Sequence, residues 1–482
     1  MIFSKISQII LGAGLILLMV SGCTVGPDYI PPALETPREF NAHLPADDRP
    51  DPAVPLPESW WALLGDEALT DLIRKAAQAN LDIRIAQARL RESRAAGRVA
   101  KAGYSPTIGT SGAASVQRQS ENSPSFPTLP APFPATSPES DLYRAGFDTA
   151  WEIDVFGRVT RSVEAADARL AAAQAGRDDV VRVVLAEVAL NYVELRGLQK
   201  RKAVLERNIR VQKDTLAFTR NRLEAGLGSE LEVSQARAQM LSTKATLPGI
   251  EAGIRLRLFQ ITTLLGLHPG QPLQGLLAYQ DLPQVPERFF ADIPSEVVRR
   301  RPDIKAAEKV LAAETADIGV ATADLFPRIS LLGGFGWESG ASGSLLDTAS
   351  QTWRLGPSIQ WPLLQGGRIR ANIDVQTAQA EAALARYEKA VLGVFQEVST
   401  ALADHSHERQ TARSLKAAIT QSRKSVELST ALYQQGLSDI LTVLNTEALL
   451  LRVEDEYALS RTREWTSLIR LYKALGGGWA KV

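Results

Sequence analysis

Hydrophobic and polar positions follow two periods along this chain, and each period recurs in two distant stretches. Residues 141–154 alternate strictly. Tyr143, Ala145, Phe147, Thr149, Trp151 and Ile153 fall on one side, with Leu142, Arg144, Gly146, Asp148, Ala150 and Glu152 on the other. Residues 327–338 do the same with Ile329, Leu331, Gly333, Phe335 and Trp337, and 351–363 with Trp353, Leu355, Pro357, Ile359, Trp361 and Leu363. A weaker set, Ile108, Thr110, Gly112, Ala114 and Val116, completes four predicted strands. Alternation at period two marks a strand with two unlike faces. The second face carries Arg144, Asp148, Glu152, Arg328 and Gln360, which does not suit a sheet lying on an apolar core. It suits a barrel with lipid outside and water inside, so Trp151, Phe335, Trp337, Trp353, Ile359 and Trp361 are expected to face the membrane.

The second period is helical. No proline occurs between Gly157 and Ala225, or between Gly367 and Gln435. At ~1.5 Å per residue each stretch predicts a helix of ~100 Å, far longer than a compact core requires. After each stretch comes a glycine turn, Ala225-Gly226-Leu227-Gly228-Ser229 and Gln435-Gly436-Leu437-Ser438-Asp439. Glycine supplies the left-handed backbone of such turns, and Ser229 and Asp439 (or Ser438) can cap the next helix. Beyond the second turn, Leu441, Leu444, Ala448 and Leu451 recur at helical spacing; Leu231 and Leu241 hold the matching places after the first. Pro248-Gly249 predicts a kink in the helix after the first turn.

These parallels reflect a duplication. A shift of 210 residues superposes Trp151 on Trp361, Gly157 on Gly367, Gly226 on Gly436 and Leu265 on Leu475; a shift of 221 superposes Asp82-Ile83 on Asp303-Ile304 and Pro106 on Pro327. The change of offset places the length difference between residues 106 and 151, which include the Pro/Ser-rich stretch Ser120–Ser140. Each half reads helix, strand, loop, strand, very long helix, tight turn, long helix. The organisation is 60–266 for the first repeat, 267–293 for an equatorial linker, 294–476 for the second repeat and 477–482 for a C-terminal tail.

Four strands cannot close a barrel, and open strand edges do not survive in lipid. Two chains give eight strands, whose interior side chains fill; three give twelve, the smallest multiple with a usable lumen. A homotrimer follows. The fold class is mainly α with a small β part: duplicated long helices of α-barrel type, plus four strands per chain in a shared transmembrane β-barrel.

The N-terminus supplies an address. Lys5 followed by the apolar stretch Ile9–Val20 reads as a signal peptide over residues 1–22. It ends in Val20-Ser21-Gly22-Cys23, which resembles the lipobox of bacterial lipoproteins, and Cys23 is the only cysteine in the chain. Acylation there anchors at ~0.8 kcal/mol per buried CH₂. By the same resemblance to lipoproteins, Thr24 at the next position, in place of aspartate, implies passage to the outer membrane. Residues 23–59 form a tail; the stretch 24–59 holds nine of the 26 prolines and reads as extended chain.

Composition removes other classes. Lys+Arg and Asp+Glu are each 54, which argues against a general nucleic-acid binder, since that class usually needs a basic surface. With one Cys and four His there is no disulfide framework and no metal-ligand spacing, and no phosphate loop or dinucleotide fingerprint occurs. His405 and His407 read as exposed on a helix and facing different ways. No enzyme, cofactor or metal site is expected.

The chain resembles the TolC-type outer membrane efflux factors, in their lipoprotein branch serving resistance–nodulation–division pumps. The resemblance runs through Cys23-Thr24-Val25-Gly26-Pro27-Asp28-Tyr29, Trp60-Trp61, Arg300-Arg301-Pro302-Asp303-Ile304 with Ala307-Glu308, Leu325-Phe326-Pro327, and Leu471-Tyr472-Lys473-Ala474-Leu475-Gly476-Gly477-Gly478-Trp479. It implies a homotrimer with a twelve-strand barrel in outer membrane lipid and a twelve-helix tunnel. It also implies an equatorial region from Trp60–Leu69, Leu267–Pro294 and the C-terminus. The implied partners are a periplasmic adaptor, docked on the two tips, and an inner membrane pump that supplies energy. The implied gate lies past the second tip, with Leu441 matching the family's leucine and Leu444 and Leu231 beside it. The family's aspartate position is Asn445 here and its arginine position Ala448, so the acidic ring is incomplete. Glu447 points away from the Leu441/Leu444 seam and reads as solvated. Small-molecule efflux is the implied function; type I polypeptide secretion and a purely structural coiled-coil lipoprotein are the alternatives.

Overall fold

The computed structural model describes residues 24–33, 37, 40, 59–120, 122, 138–273, 275–286 and 294–478. The signal segment, Cys23, much of the tail and most of Ser120–Ser140 lie outside the described residues.

A 3₁₀ turn at Trp60–Leu64 precedes α1 (Glu67–Ala79), α2 (Leu81–Ala102), β1 (Thr107–Arg118), β2 (Glu139–Ile153) and α3 (Arg158–Glu224). Then come α4 (Glu230–Ala245), α5 (Leu247–Leu264), α6 (Pro294–Arg300), α7 (Pro302–Ala323), β3 (Arg328–Ser339), β4 (Gln351–Gln360), α8 (Arg368–Gln434) and α9 (Ile440–Ala474). Helices α3 and α8 are each 67 residues long and start one residue after the equivalent glycines Gly157 and Gly367. The fold is mostly helical with one small antiparallel sheet. No helix among the described residues is long and apolar enough to cross a membrane.

Two compact units cut across the repeats. The first comprises Met1–Pro31, Arg91–Ala171 and Glu308–Ala385. Its sheet has the order β1-β2-β3-β4, all antiparallel. The register aligns Thr110, Phe147, Phe335 and Trp353 in one row, and Ile153, Ile329 and Ile359 in another. The alternate rows are polar: Arg144 lies opposite Glu338 and pairs with it at 2.8 Å. Asp148 reaches Arg354 at 2.8 Å past Gly334, which presents no side chain between them. Strand β4 stops at Gln360, so Trp361 and Leu363, expected within a strand over 351–363, lie past its end. Pro362 has no N–H to continue a ladder. Each tryptophan at this level turns its indole N–H to a loop carbonyl, Trp151 to Tyr104 and Trp361 to Leu325, both at 3.0 Å.

The second unit comprises Pro32–Leu90, Ala172–Ala307 and Arg386–Val482. Its core joins Trp60, Trp61, Leu69 and Ile73 to Tyr192, Leu195, Trp465, Leu468 and Leu475, with Leu276 and Val285 from the linker. Trp60 stacks on Tyr472 with ring centroids 6.2 Å apart. Burial of these aromatic and aliphatic side chains stabilises the unit. Gly197 lets α3 and α9 touch: a Cβ there would sit 2.1 Å from Thr462 Oγ1.

Three local expectations are corrected. The single helix expected before the first strand of each repeat is two, broken at Asn80 and at Arg301. The helix after the first turn ends at Ala245 and restarts at Leu247, with Pro248 in its first turn; the expected kink is thus a break. His405 is fully buried, its Nδ1 3.1 Å from Ser467 Oγ, because the α8 face it occupies packs on α9.

Candidate functional site

The tips are built by local chemistry in the second unit. At the first, Gly226 takes φ 71°, its N–H donates to Leu223 O, and the Leu227 N–H donates to Arg222 O. At the second, Gly436 takes φ 74°, with Gly436 N–H to Tyr433 O and Leu437 N–H to Leu432 O. This is the Schellman closure, which satisfies the last carbonyls of α3 and α8. Ser229 then caps α4 by accepting from the Glu232 N–H, and Asp439 caps α9 by accepting from the Thr442 N–H at 2.8 Å. Asp439, not Ser438, is therefore the second cap. Gly226, Leu227, Ser229, Gly436, Leu437 and Asp439 are exposed, while Gly228 and Ser438 are half-buried. Leu227 and Leu437 are apolar side chains presented at the extreme of each turn.

The structure also ties the tips together, which the sequence did not reveal. The Tyr433 hydroxyl donates to Glu232 Oε2 at 3.2 Å, and the Arg222 guanidinium lies 4.9 Å from the Tyr433 ring centroid. The 210-residue shift carries no signal for this, because the contact joins one repeat to the other.

Behind the tips lies a small apolar cluster: Leu216, Val233, Ala236, Tyr433, Ile440, Val443 and Leu444. Leu444 is buried in it, whereas Leu441 is 47% exposed. A three-residue step turns about 60° around a helix, enough to separate the two environments. The seam expected to hold both leucines is therefore divided: Leu444 packs and Leu441 remains available. Leu231 and Asn445 are exposed as well.

Glu447 corrects the expectation of a solvated face. It follows Val443 and Leu444 by four and three positions, shares their side of α9 and is only 4% exposed. Thr215 Oγ1 on α3 donates to its Oε1 at 2.8 Å, and Oε2 has no hydrogen-bond partner among the described residues. Burial pushes this carboxyl above its ordinary pKa against the opposing effect of the Thr215 hydrogen bond. Two turns further, Glu454 accepts from Arg423 at 2.8 Å, from Asn208 at 3.3 Å and from Arg207. Burial acts to raise Glu454, but these partners outweigh it and the net displacement is downward.

The Arg300–Ile304 motif serves architecture. Arg301 is 2% exposed and makes a fork to Asp303 at 2.9 and 2.6 Å. It also donates to Glu397 Oε2 at 2.7 Å and to the Ala474 carbonyl, the last of α9, at 2.9 Å.

On the sheet, Trp151, Phe335, Trp353 and Ile359 are exposed on the apolar rows, with Trp337 half-buried beside Phe335 at 5.2 Å between rings. Ile359 is the penultimate residue of β4, and Leu355 lies at mid-strand on the same face. Trp361 is exposed just past the strand end.

A two-faced sheet, two helices of 67 residues and two capped glycine tips define a protein of the outer membrane channel class. The chain belongs to the outer membrane efflux protein family, whose model matches residues 72–267 and 293–477. It is 31% identical to the solvent efflux pump outer membrane protein SrpC of Pseudomonas putida, over 96% of this chain and 97% of that one. It is 29% identical to nodulation protein T of Rhizobium leguminosarum bv. trifolii, over 96% of each. Among solved structures it is similar to the outer membrane channel OprN, with TM-score 0.86, 34% identity, and 95% and 100% coverage. It is also similar to the open-state MtrE channel of Neisseria gonorrhoeae, with TM-score 0.79, 27% identity, and 95% and 99% coverage. The protein is thus an outer membrane efflux component.

Proposed function

We propose that this chain is the outer membrane conduit of a tripartite efflux system, passively conducting small toxic compounds delivered by an inner membrane resistance–nodulation–division pump. The supporting observation is the sheet. Strands β1 and β4 each have one unpaired edge among the described residues, the apolar rows are exposed, and lipid tolerates neither edge. A homotrimer pairs all edges and gives twelve strands. The tips dock a periplasmic adaptor through Leu227 and Leu437. Three copies of Leu441 close the periplasmic end as an apolar ring that excludes water. Cys23, outside the described residues, carries the lipid anchor. Solvent efflux by the Pseudomonas relative supports apolar cargo for this chain.

The test is to delete the gene and measure sensitivity to toluene and hydrophobic antibiotics, with purified protein assayed for oligomeric mass and planar-bilayer conductance. Sensitisation with a trimeric, conducting protein is expected. A deletion that instead abolishes secretion of a polypeptide, leaving drug tolerance intact, overturns the cargo reading. Leu441→Ala should raise conductance and vancomycin sensitivity, and Asn445→Ala much less. Cys23→Ser should abolish labelling by palmitate.

A further inference from the structure

The residues that follow Cys23 occupy a built cradle in the first unit. The Val25 N–H donates to Phe156 O at 3.2 Å. The Arg161 side chain is 5% exposed and converges on the same segment. Its Nε donates to Val25 O at 3.1 Å, and its Nη2 to Gly26 O at 3.4 Å and Asp28 Oδ1 at 2.7 Å. Its Nη1 is held by Glu164 Oε2 at 2.8 Å. The backbones meet closely on both sides. A Cβ on Gly26, which has φ 90°, would lie 2.4 Å from Gly319 Cα on α7, and a Cβ on Gly157 would lie 2.7 Å from Thr24 Cγ2. Phe156, whose carbonyl accepts from the Val25 N–H, stacks its ring on Phe326 at 4.8 Å.

This cradle is absent from the duplicated scaffold. At the equivalent places the other repeat has Ala371 for Arg161, Gly366 for Phe156 and Arg98 for Gly319. A duplicated strand-to-helix junction needs none of these residues, since the second copy lacks them. They are explained by the segment they hold.

We propose that Thr24–Asp28 is a clamp, with Arg161 as its positioning residue, that fixes the lipid-bearing end of the chain at the junction of β2, α3 and α7. The segment is then part of the membrane unit's fold and not a free tether. The placement of the lipid rests on the lipoprotein reading above; the clamp itself does not.

Hydrogen exchange by mass spectrometry on the full chain in detergent tests it, following peptides spanning 24–31 and 151–165. Gly26→Ala and Arg161→Ala should each speed exchange in both peptides about tenfold, the order expected for losing one charge-assisted contact from a local unit. Arg161→Lys should not rescue, because one ammonium cannot reproduce the guanidinium fork. Ile30→Ala, at an exposed position, should change neither peptide. Unchanged exchange in 151–165 for Gly26→Ala overturns the proposal, even if Arg161→Ala fails to fold, because Gly26 lies in the tail alone. Palmitate labelling, run on the same samples, should persist in every variant. Its absence from the wild type would sink the lipoprotein reading and leave the exchange result to decide the clamp.

Discussion

Asn80 and Arg301 occupy equivalent places in the two repeats, 221 residues apart, and each separates a short helix from a long one. Their side chains perform one task. Asn80 Nδ2 donates to Leu264 O, the last carbonyl of α5, at 2.8 Å, and Arg301 Nη1 donates to Ala474 O, the last of α9, at 2.9 Å. Leu264 and Ala474 are themselves equivalent under the 210-residue shift. The means differ. Asn80 is neutral and also caps α2, accepting from the Asp82 and Ile83 N–H groups. Arg301 leaves helix initiation to Pro302 and spends its other donors on Asp303 and Glu397. A duplicated scaffold has kept a contact while exchanging a cap for an ionic cluster around a buried arginine. The second junction is therefore the more fragile to truncation.

Arg301→Ala should break that comparison most strongly. It removes the guanidinium fork from Asp303, which is 28% exposed, and the donor of the Ala474 carbonyl, at a cost of about 2–3 kcal/mol for the lost charge-assisted hydrogen bonds. Asn80→Ala should cost about 1–2 kcal/mol, a cap and one hydrogen bond. Denaturant midpoints of the two variants check the order. The junctions should also part in acid. Burial acts to raise the Asp303 carboxyl, but Arg301 outweighs burial and holds it below the ordinary aspartate range. A depressed folded-state pKa gives stability that is present above the unfolded pKa, near 3.9, and is lost as pH falls through the folded value. The acid limb of the stability curve should flatten in Asp303→Asn.

How much of this was legible in the sequence depends on whether a feature is local or mutual. The strand faces and the ends of α3 and α8 were readable, because alternation and bounding glycines are properties of a short stretch. The tips were readable for the same reason, save the choice of Asp439 as cap. The breaks at Asn80 and Arg301 were not, since helical periodicity runs through both; Pro302, which disfavours a helical residue before it, was the available signal. Glu447 and His405 were misread because a polar side chain on a helix counts as exposed until its partner helix is known. The clamp on Arg161 was invisible, as residues 24–28 and 161 are joined only by folding.

The repeats differ again after their tips. Pro248 lies in the first turn of α5, where its missing N–H costs nothing, and its equivalent in unbroken α9 is the buried Ala458. Ala458→Pro should therefore cost about 3 kcal/mol or more, whereas Pro248→Ala should change stability little. Thermal unfolding of the two exchanges, each importing the other repeat's residue, measures how far continuity of α9 matters. Equal effects would show that α9 tolerates the break that its counterpart already has.

The smallest expected effect separates Glu447 from its counterpart Arg237, which is exposed on α4. Glu447 is enclosed between α9 and α3, with one carboxylate oxygen on Thr215 and the other without a hydrogen-bond partner among the described residues. Its pKa is raised by burial, so the sign is opposite to that for Asp303. A raised folded-state pKa contributes stability that is fully present below the unfolded glutamate value, near 4.3, and is lost as pH rises through the folded value. The ionised form of this buried carboxyl is a liability, increasingly so as pH rises. Glu447→Gln keeps an oxygen for the Thr215 hydroxyl and removes the charge, and a neutral amide loses less on burial than a carboxylate does. The variant should gain about 1 kcal/mol at pH 7, the scale of one unsatisfied buried group, and the gain should shrink toward zero near pH 4. Arg237→Gln should stay within about 0.5 kcal/mol at every pH. Unfolding midpoints between pH 4 and 8 decide the matter. A Glu447→Gln variant that loses stability at pH 7 would mean that the carboxylate has a partner in the assembled channel that the single chain lacks, and that the tip core is held by charge after all.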